Sequence, residues 1–185
     1  MSRLCRLAMK YETDKCPDYR SGIGHNYTPF YEELFRGMAV KRLLEIGIDT
    51  GASLYMWEEY FPKAEIVGVD IHVPGLINKG RIRSFYCDQS NAQSLVALHS
   101  YLGSRPFDIM IDDGSHVPDD QVMTANILAD RLAPGGLYII EYVQIGVANI
   151  LADGILWPWK KEIVDLDTRE YRRSDNTLLI MRRPV

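Results

Sequence analysis

From Arg42 onward, short and nearly unbroken apolar runs alternate with longer stretches of mixed polarity. RLLEIGI, EIVGVDI, RIRSFYCD, FDIMIDDG and GLYIIEYV are strand-length runs rich in Ile, Val and Leu, bounded by Gly, Pro or Asp. Between them, ASLYMWEEYF reads as a helix ended by Pro62, NAQSLVALHSYL as a helix with Asn91 at its start, and PDDQVMTANILADRL as a helix after Pro118. Upstream, Leu4, Leu7 and Ala8 recur at helical spacing within Arg3 to Lys10. DKCPDYRSGIGHN follows as a loop, and Thr28-Pro29 reads as a helix start, with Thr able to cap and Pro suited to the first turn. The pattern blurs through ILWPWKKEIVDLDT, and YRRSDNTLLIMRRP reads as a strand after a Ser-Asp-Asn turn.

Apolar runs alternating with helices predict a parallel sheet covered on both faces, an α/β fold wound in both directions. EIVDLDT and TLLIMRR lie too close for a helical crossover, so they are expected to pair antiparallel. The reading is a mostly parallel seven-stranded sheet with an antiparallel last strand. Residues 1–185 read as one domain, with 1–38 as a helical N-terminal cap that would part from the sheet near Ser21 to His25.

The length suits one domain, and 46% hydrophobic with 25% charged residues is the balance of a globular chain able to bury a core. A net charge of -4 without a basic stripe argues against nucleic acid as a partner. Cys5, Cys16 and Cys87 form neither a metal-type spacing nor a disulfide framework, which points to a reducing, cytoplasmic setting. The first fifteen residues are too charged for a secretion signal, and no segment approaches a membrane span.

The chemistry collects where the runs end. In sheets of this kind ligands sit beyond the carboxyl ends of the strands, at the point where strand order reverses. RLLEIGIDTGAS carries Glu45, Gly47, Asp49 and Gly51 there. The glycines imply a close backbone approach. Their spacing is neither the dinucleotide fingerprint nor a phosphate loop, and the two acids would repel phosphate and welcome an amino group or a sulfonium. Asp70 ends the second run, where a carboxylate can accept both ribose hydroxyls of a nucleoside. Asp88 and Gln89 end the third and could meet an adenine edge, with Ile71 as an apolar wall. Singly, each acid could be only a helix cap or a solvated loop residue. Together they imply a positively charged nucleoside without phosphate, a description that S-adenosylmethionine fits.

In order, LLEIGIDTGAS, EIVGVDI, FYCDQSN, FDIMIDDGSH and LAPGGLYIIEYV resemble the class I S-adenosylmethionine-dependent methyltransferases, which have a Rossmann-like fold. With TDK and HNYTPFYEELF upstream, the chain is most similar to the metal-dependent sugar O-methyltransferases of macrolide biosynthesis, and shares parts of the pattern with cephalosporin-hydroxylase-like proteins. The resemblance implies S-adenosylmethionine as cofactor, a hydroxylated small-molecule acceptor and, as in related enzymes that assemble, a homo-oligomer. It implies Mg²⁺ at Asp113 and Glu141, His116 as general base, and Asp112 beside the cofactor. The pattern departs at Tyr142, which stands where these enzymes carry a second acid. Tyrosine is a poor Mg²⁺ ligand, so the metal site is weakened, rebuilt with water or lost.

Plainer roles compete with these. Asp113-Gly114 could be a turn, and His116 could cap the next helix. The loop of Thr13, Asp14, Lys15, His25, Asn26 and Tyr27 could fold over the cofactor or lie on the surface. Trp157 and Trp159 could form a lid, a subunit contact or a core edge. A hydroxylase-like or non-catalytic relative that binds S-adenosylmethionine without transferring methyl, a nucleic-acid or protein methyltransferase, and a nicotinamide oxidoreductase are the alternative functions. The charge balance disfavours a nucleic-acid substrate, and the glycine spacing disfavours nicotinamide chemistry.

Overall fold

The computed structural model describes residues 1–168 and 173–185. Tyr171 and Arg172, at the start of the last predicted segment, lie outside the described residues. In chain order the elements are α1 (Arg3–Tyr11), α2 (Tyr27–Leu34), β1 (Arg42–Ile46), α3 (Ala52–Tyr60), β2 (Glu65–Asp70), β3 (Asn78–Lys79) and β4 (Ile82–Tyr86). There follow α4 (Ala92–Tyr101), β5 (Phe107–Asp112), α5 (Pro118–Leu128), β6 (Leu132–Val143), α6 (Ala148–Gly154), β7 (Lys160–Asp165) and β8 (Thr177–Arg182).

The strands form one sheet in the order β3-β4-β2-β1-β5-β6-β8-β7. β4, β2, β1, β5 and β6 run parallel, and β8 is antiparallel to both β6 and β7. The eighth strand among the described residues is the two-residue β3, which pairs antiparallel with β4. Two residues carry no periodicity, so a hydrophobic pattern could not have announced it.

Alternation along each strand feeds two cores. Leu43 joins the cluster beneath α1, α2 and α3, while Leu44 and Ile46 join the cluster beneath α4, α5 and α6. Glu45 therefore points to the α1–α3 side. Helix ends largely follow the local signals. Asn91 accepts hydrogen bonds from the Gln93 and Ser94 amides, α3 stops just before Pro62, and Pro118 opens α5. Thr28 departs from expectation. α2 begins two residues earlier, at Tyr27, and the Thr28 hydroxyl is buried 3.0 Å from the Cys5 thiol instead of capping the helix. α5 also ends sooner than its pattern, passing into a 3-10 turn over Ala129–Arg131 that leads into β6.

Candidate functional site

Strand order reverses between β1 and β5, and a cleft of about 720 Å³ opens there at the carboxyl ends of the strands. Of the residues singled out in the sequence, Gly47 and Asp49 line it after β1, Asp70 and Ile71 after β2, Asp88 and Gln89 after β4, and Asp113 and His116 after β5. Gly51, Glu45, Asp112 and Glu141 do not line it. The three acids lie beneath its floor, fully buried.

The glycines serve the protein's own packing. Gly47 has φ +81°, and a Cβ there would stand 2.0 Å from the Asp113 carbonyl oxygen. The strap after β1 thus lies against the loop after β5, with Gly47 N–H bonded to the Val69 carbonyl and Asp113 N–H to the Ile46 carbonyl. At Gly51, also at positive φ, a Cβ would meet the Ile77 side chain. The close approach read from the sequence is real, but its partners are neighbouring loops.

The acids and amides of the rim are partly engaged in the same way. Asp70 Oδ2 accepts the backbone N–H groups of Ile48 (2.7 Å) and Asp49 (2.9 Å), and Oδ1 accepts that of His72 (2.7 Å). Counting two lone pairs per oxygen, Oδ1 keeps one acceptor site for a ligand. Asp88 Oδ1 takes both the amide (3.0 Å) and the hydroxyl (2.7 Å) of Ser90. Gln89 is buried. Its Nε2 donates to both oxygens of Asp112 at 2.7 and 2.8 Å, and its Oε1 accepts the Ser115 N–H at 2.7 Å. Its amide therefore joins the loops after β4 and β5, and Asp112 acts on the cleft through Gln89 without facing it. Burial pushes the Asp112 carboxyl up to about 7, against the pull of the Gln89, Gly114 and Tyr138 donors.

Below the β5 and β6 ends lies a cluster that the sequence did not disclose. Lys15, only 1% exposed, brings its ammonium 2.5 Å from Asp113 Oδ2, 2.6 Å from Glu141 Oε2 and 3.3 Å from Glu45 Oε1. Burial works to lower the Lys15 pKa, but the surrounding carboxylates outweigh it and hold the ammonium charged. Asp113 is pushed up by burial and by the charges of Glu141 and Glu45, and Glu141 by burial and by Glu45, against the opposing field of Lys15. Glu141 Oε1 accepts the Tyr31 hydroxyl at 2.6 Å. Glu45 Oε2 accepts the Ser53 hydroxyl (2.6 Å) and the Trp57 indole N–H (3.2 Å). The sequence pointed to a divalent ion between Asp113 and Glu141. The structure brings these two together, but their convergence point is filled by Lys15, and the donor set in this arrangement does not fit such an ion. Among the described residues no group of three His, Cys, Asp or Glu side chains is arranged to hold a metal.

His116 sits on the cleft wall with φ +57°, its ring stacked on Tyr142 at 4.2 Å between centroids. It does not cap α5, whose N-cap is Val117. Partial burial, and then the Lys15 charge, hold its pKa below the ordinary imidazole value, so the neutral, proton-accepting form prevails at neutral pH. Tyr142, at φ +56°, donates its hydroxyl to Asp14 Oδ2 at 2.6 Å. It is thereby turned toward the N-terminal segment. Its ring also meets His25, which is buried against Tyr27 with no hydrogen bond to either ring nitrogen. Burial takes the His25 pKa down to about 4.

The upstream loop thus folds inward. Thr13 and Asp14 line the cleft, Lys15 reaches beneath it, and His25 and Tyr27 pack behind Tyr142 and do not line it. Trp157 and Trp159 pack together at 4.8 Å against the α5 side, with the Trp157 indole bonded to the Ala125 carbonyl, the core-edge role. Sequence reasoning named Lys15 as a loop residue without its carboxylate partners, and missed Tyr31 and Trp57. The TDK triplet was a signal for the first, whereas the other two read as ordinary apolar positions on their helices.

No family model matches the chain. Over 176 residues, 90% of its length, it is 36% identical to the 8-demethyl-8-alpha-L-rhamnosyl tetracenomycin-C 2'-O-methyltransferase of Streptomyces olivaceus. Over 147 residues it is 37% identical to the mycinamicin VI 2''-O-methyltransferase of Micromonospora griseorubida. It spans 42% and 35% of the length of these curated relatives. Among solved structures, the MycE methyltransferase of the mycinamycin biosynthetic pathway, in complex with Mg and SAH, superposes on 99% of the chain with TM-score 0.72 and 28% identity, the match covering 55% of that protein. A caffeoyl-CoA O-methyltransferase-like protein from Staphylococcus aureus, at 15% identity and TM-score 0.62, shares the fold. No helix among the described residues is long and apolar enough to cross a membrane. Sequence and fold together make this chain a relative of the sugar O-methyltransferases, built on the class I S-adenosylmethionine-dependent methyltransferase fold.

Proposed function

We propose that the chain is an S-adenosylmethionine-dependent O-methyltransferase acting on a hydroxyl of a glycosylated or otherwise hydroxylated small molecule. One observation carries this reading: a single cleft joins acids at the ends of β1, β2 and β4 to His116 beyond β5. Its volume lies within the usual range for a small-ligand pocket, roughly 300–1,000 Å³. Ile71, 59% exposed at the rim, offers an apolar surface to a base, and Asp70 Oδ1 keeps an acceptor site for a ribose hydroxyl. Asp49, on the cleft wall, supplies the negative charge suited to the amino group or sulfonium. The rhamnosyl tetracenomycin-C in one relative's name supports a sugar-bearing acceptor.

When bound, S-adenosylmethionine supplies an electrophilic methyl carbon on a sulfonium. The chain's part is to align an acceptor oxygen with that carbon, which is positioning more than covalent catalysis. His116 takes the acceptor's proton as the oxygen–carbon bond forms and the carbon–sulfur bond breaks. Its depressed pKa supports that role, because a neutral imidazole is already present at neutral pH. We assign residues 1–185 to one domain, with 1–38 as a cap whose Thr13 and Asp14 border the cofactor end. Expression in the cytoplasm is consistent with this role.

Calorimetric titration with S-adenosylhomocysteine tests the reading. Wild type should bind with micromolar Kd, and Asp70→Ala should lose at least ~10-fold in affinity, since it removes both the ribose acceptor and the anchor of the Ile48 and Asp49 amides. No binding to wild type would refute the cofactor assignment.

A further inference from the structure

Three carboxyl groups, Glu45, Asp113 and Glu141, converge below the cleft from three different strands or strand ends, and a single ammonium sits among them. Such a concentration of buried acid demands a cation. Mg²⁺ would require oxygens at about 2.0–2.1 Å in near-octahedral array. Here the Lys15 nitrogen lies between Asp113 Oδ2 and Glu141 Oε2, on the two carboxylates that would hold such an ion. Two cations cannot share that pair at such separations without strong repulsion. Of the other oxygens, Glu141 Oε1 is committed to Tyr31 and Glu45 Oε2 to Ser53 and Trp57, while Glu45 Oε1 has the Lys15 ammonium 3.3 Å away. Tyr142, next to Glu141 in sequence, turns its hydroxyl away to Asp14 and adds no oxygen to the cluster.

We infer that Lys15 is the resident cation of this carboxylate cluster, standing in place of a divalent metal ion. It is a positioning residue: it neutralises the cluster, fixes the Asp113 carboxylate, and ties the N-terminal segment to the ends of β5 and β6. The inference rests on the cluster's geometry and not on the methyltransferase reading, which has its own test in S-adenosylhomocysteine binding.

The probe is Mn²⁺, followed by electron paramagnetic resonance of the free ion, with thermal unfolding in the presence and absence of Mg²⁺ as a second readout. Wild type, Asp113→Asn, Lys15→Ala and Lys15→Ala combined with Asp113→Asn are compared. Wild type should retain no Mn²⁺ at stoichiometric concentration, and Mg²⁺ should leave its melting temperature unmoved. Lys15→Ala empties the convergence point while keeping all three acids, so it should bind one Mn²⁺ at least ~10-fold more tightly than wild type. The added Asp113→Asn change should abolish that gain. If Lys15→Ala does not fold alone, restoration of its cooperative melting by millimolar Mg²⁺ supports the inference, and failure of Mg²⁺ to restore it overturns it. Stoichiometric Mn²⁺ on wild type that is lost in Asp113→Asn overturns it too, as does a folded Lys15→Ala protein that takes up none. Binding of S-adenosylhomocysteine is measured in parallel with chelator present, so that loss of the cofactor pocket is told apart from loss of the cation site.

Discussion

Asp112 gives this protein a pH dependence that can be worked out from its surroundings. It is fully buried, and burial raises its pKa from 3.8 to about 7 despite the Gln89 amide on both oxygens. An acid whose folded-state pKa is raised binds its proton more tightly in the native protein than in the unfolded chain. Its contribution to stability is therefore fully present below pH 3.8 and is lost as pH rises toward and through 7. Between pH 5 and pH 8 this amounts to roughly two pH units of titration at about 1.36 kcal/mol each, or about 2.7 kcal/mol. His25 works the other way. Its folded pKa of about 4 lies below the ordinary 6.5, so it adds stability as pH rises across that interval. Wild-type stability alone would mix these slopes with those of Asp113, Glu141 and His116. Asp112→Asn keeps the shape and removes one titration, leaving His25 in place. Urea unfolding of both proteins at pH 5 and pH 8 isolates the Asp112 share. Relative to the variant, wild type should lose about 2.7 kcal/mol on going from pH 5 to pH 8. A difference that stays flat across that range, or grows in favour of wild type at high pH, would refute the argument.

Further consequences follow from individual side chains. Gly47→Ala forces an L-residue into the left-handed region and drives its Cβ onto the Asp113 carbonyl, so the melting temperature should fall by about 4 °C or more, with weaker S-adenosylhomocysteine binding in calorimetry. His116→Gln should leave that binding within ~3-fold of wild type while lowering kcat by ~100-fold or more in a methyl-transfer assay, and an unchanged kcat would remove His116 from the chemistry. In wild type the acidic limb of kcat/KM should fall below the ordinary imidazole value of 6.5, because burial and Lys15 disfavour the protonated ring. Tyr142→Phe deletes the bond to Asp14 and should cost about 1 kcal/mol in urea unfolding, with faster amide exchange in the segment around Asp14.

What could be read in the sequence was whatever one element declares by itself. The apolar runs gave five parallel strands and their order of appearance. The strand-end residues Gly47, Asp49, Asp70, Ile71, Asp88, Gln89, Asp113 and His116 do gather around one cleft, because a parallel sheet brings all its carboxyl ends to one edge. Side-chain partnership was not legible. Gln89 meets Asp112 and Ser115 across loops 23 and 26 residues apart, and nothing local to either announces it. Asp112 and Asp113 are adjacent acids with opposite destinations, because alternation sends one to Gln89 and Tyr138 and the other to Lys15. Glu45 looked like a ligand-facing acid, but strand alternation turns it to the α1–α3 side, where Ser53, Trp57 and Lys15 receive it.

The Lys15 cluster also bears on how the chain reaches its native state. Its ammonium closes contacts to Asp113 and Glu141 over separations of 98 and 126 residues. Contacts of that span carry a large loop-closure entropy and are favoured only once the intervening sheet is in place. The segment around Lys15 precedes β6 in the chain, yet it can dock only after β6 has emerged and paired with β5. A nascent chain therefore exposes these carboxyls until the segment around Lys15 docks against the ends of β5 and β6. The cleft, whose rim includes Thr13 and Asp14, is completed in the same late step.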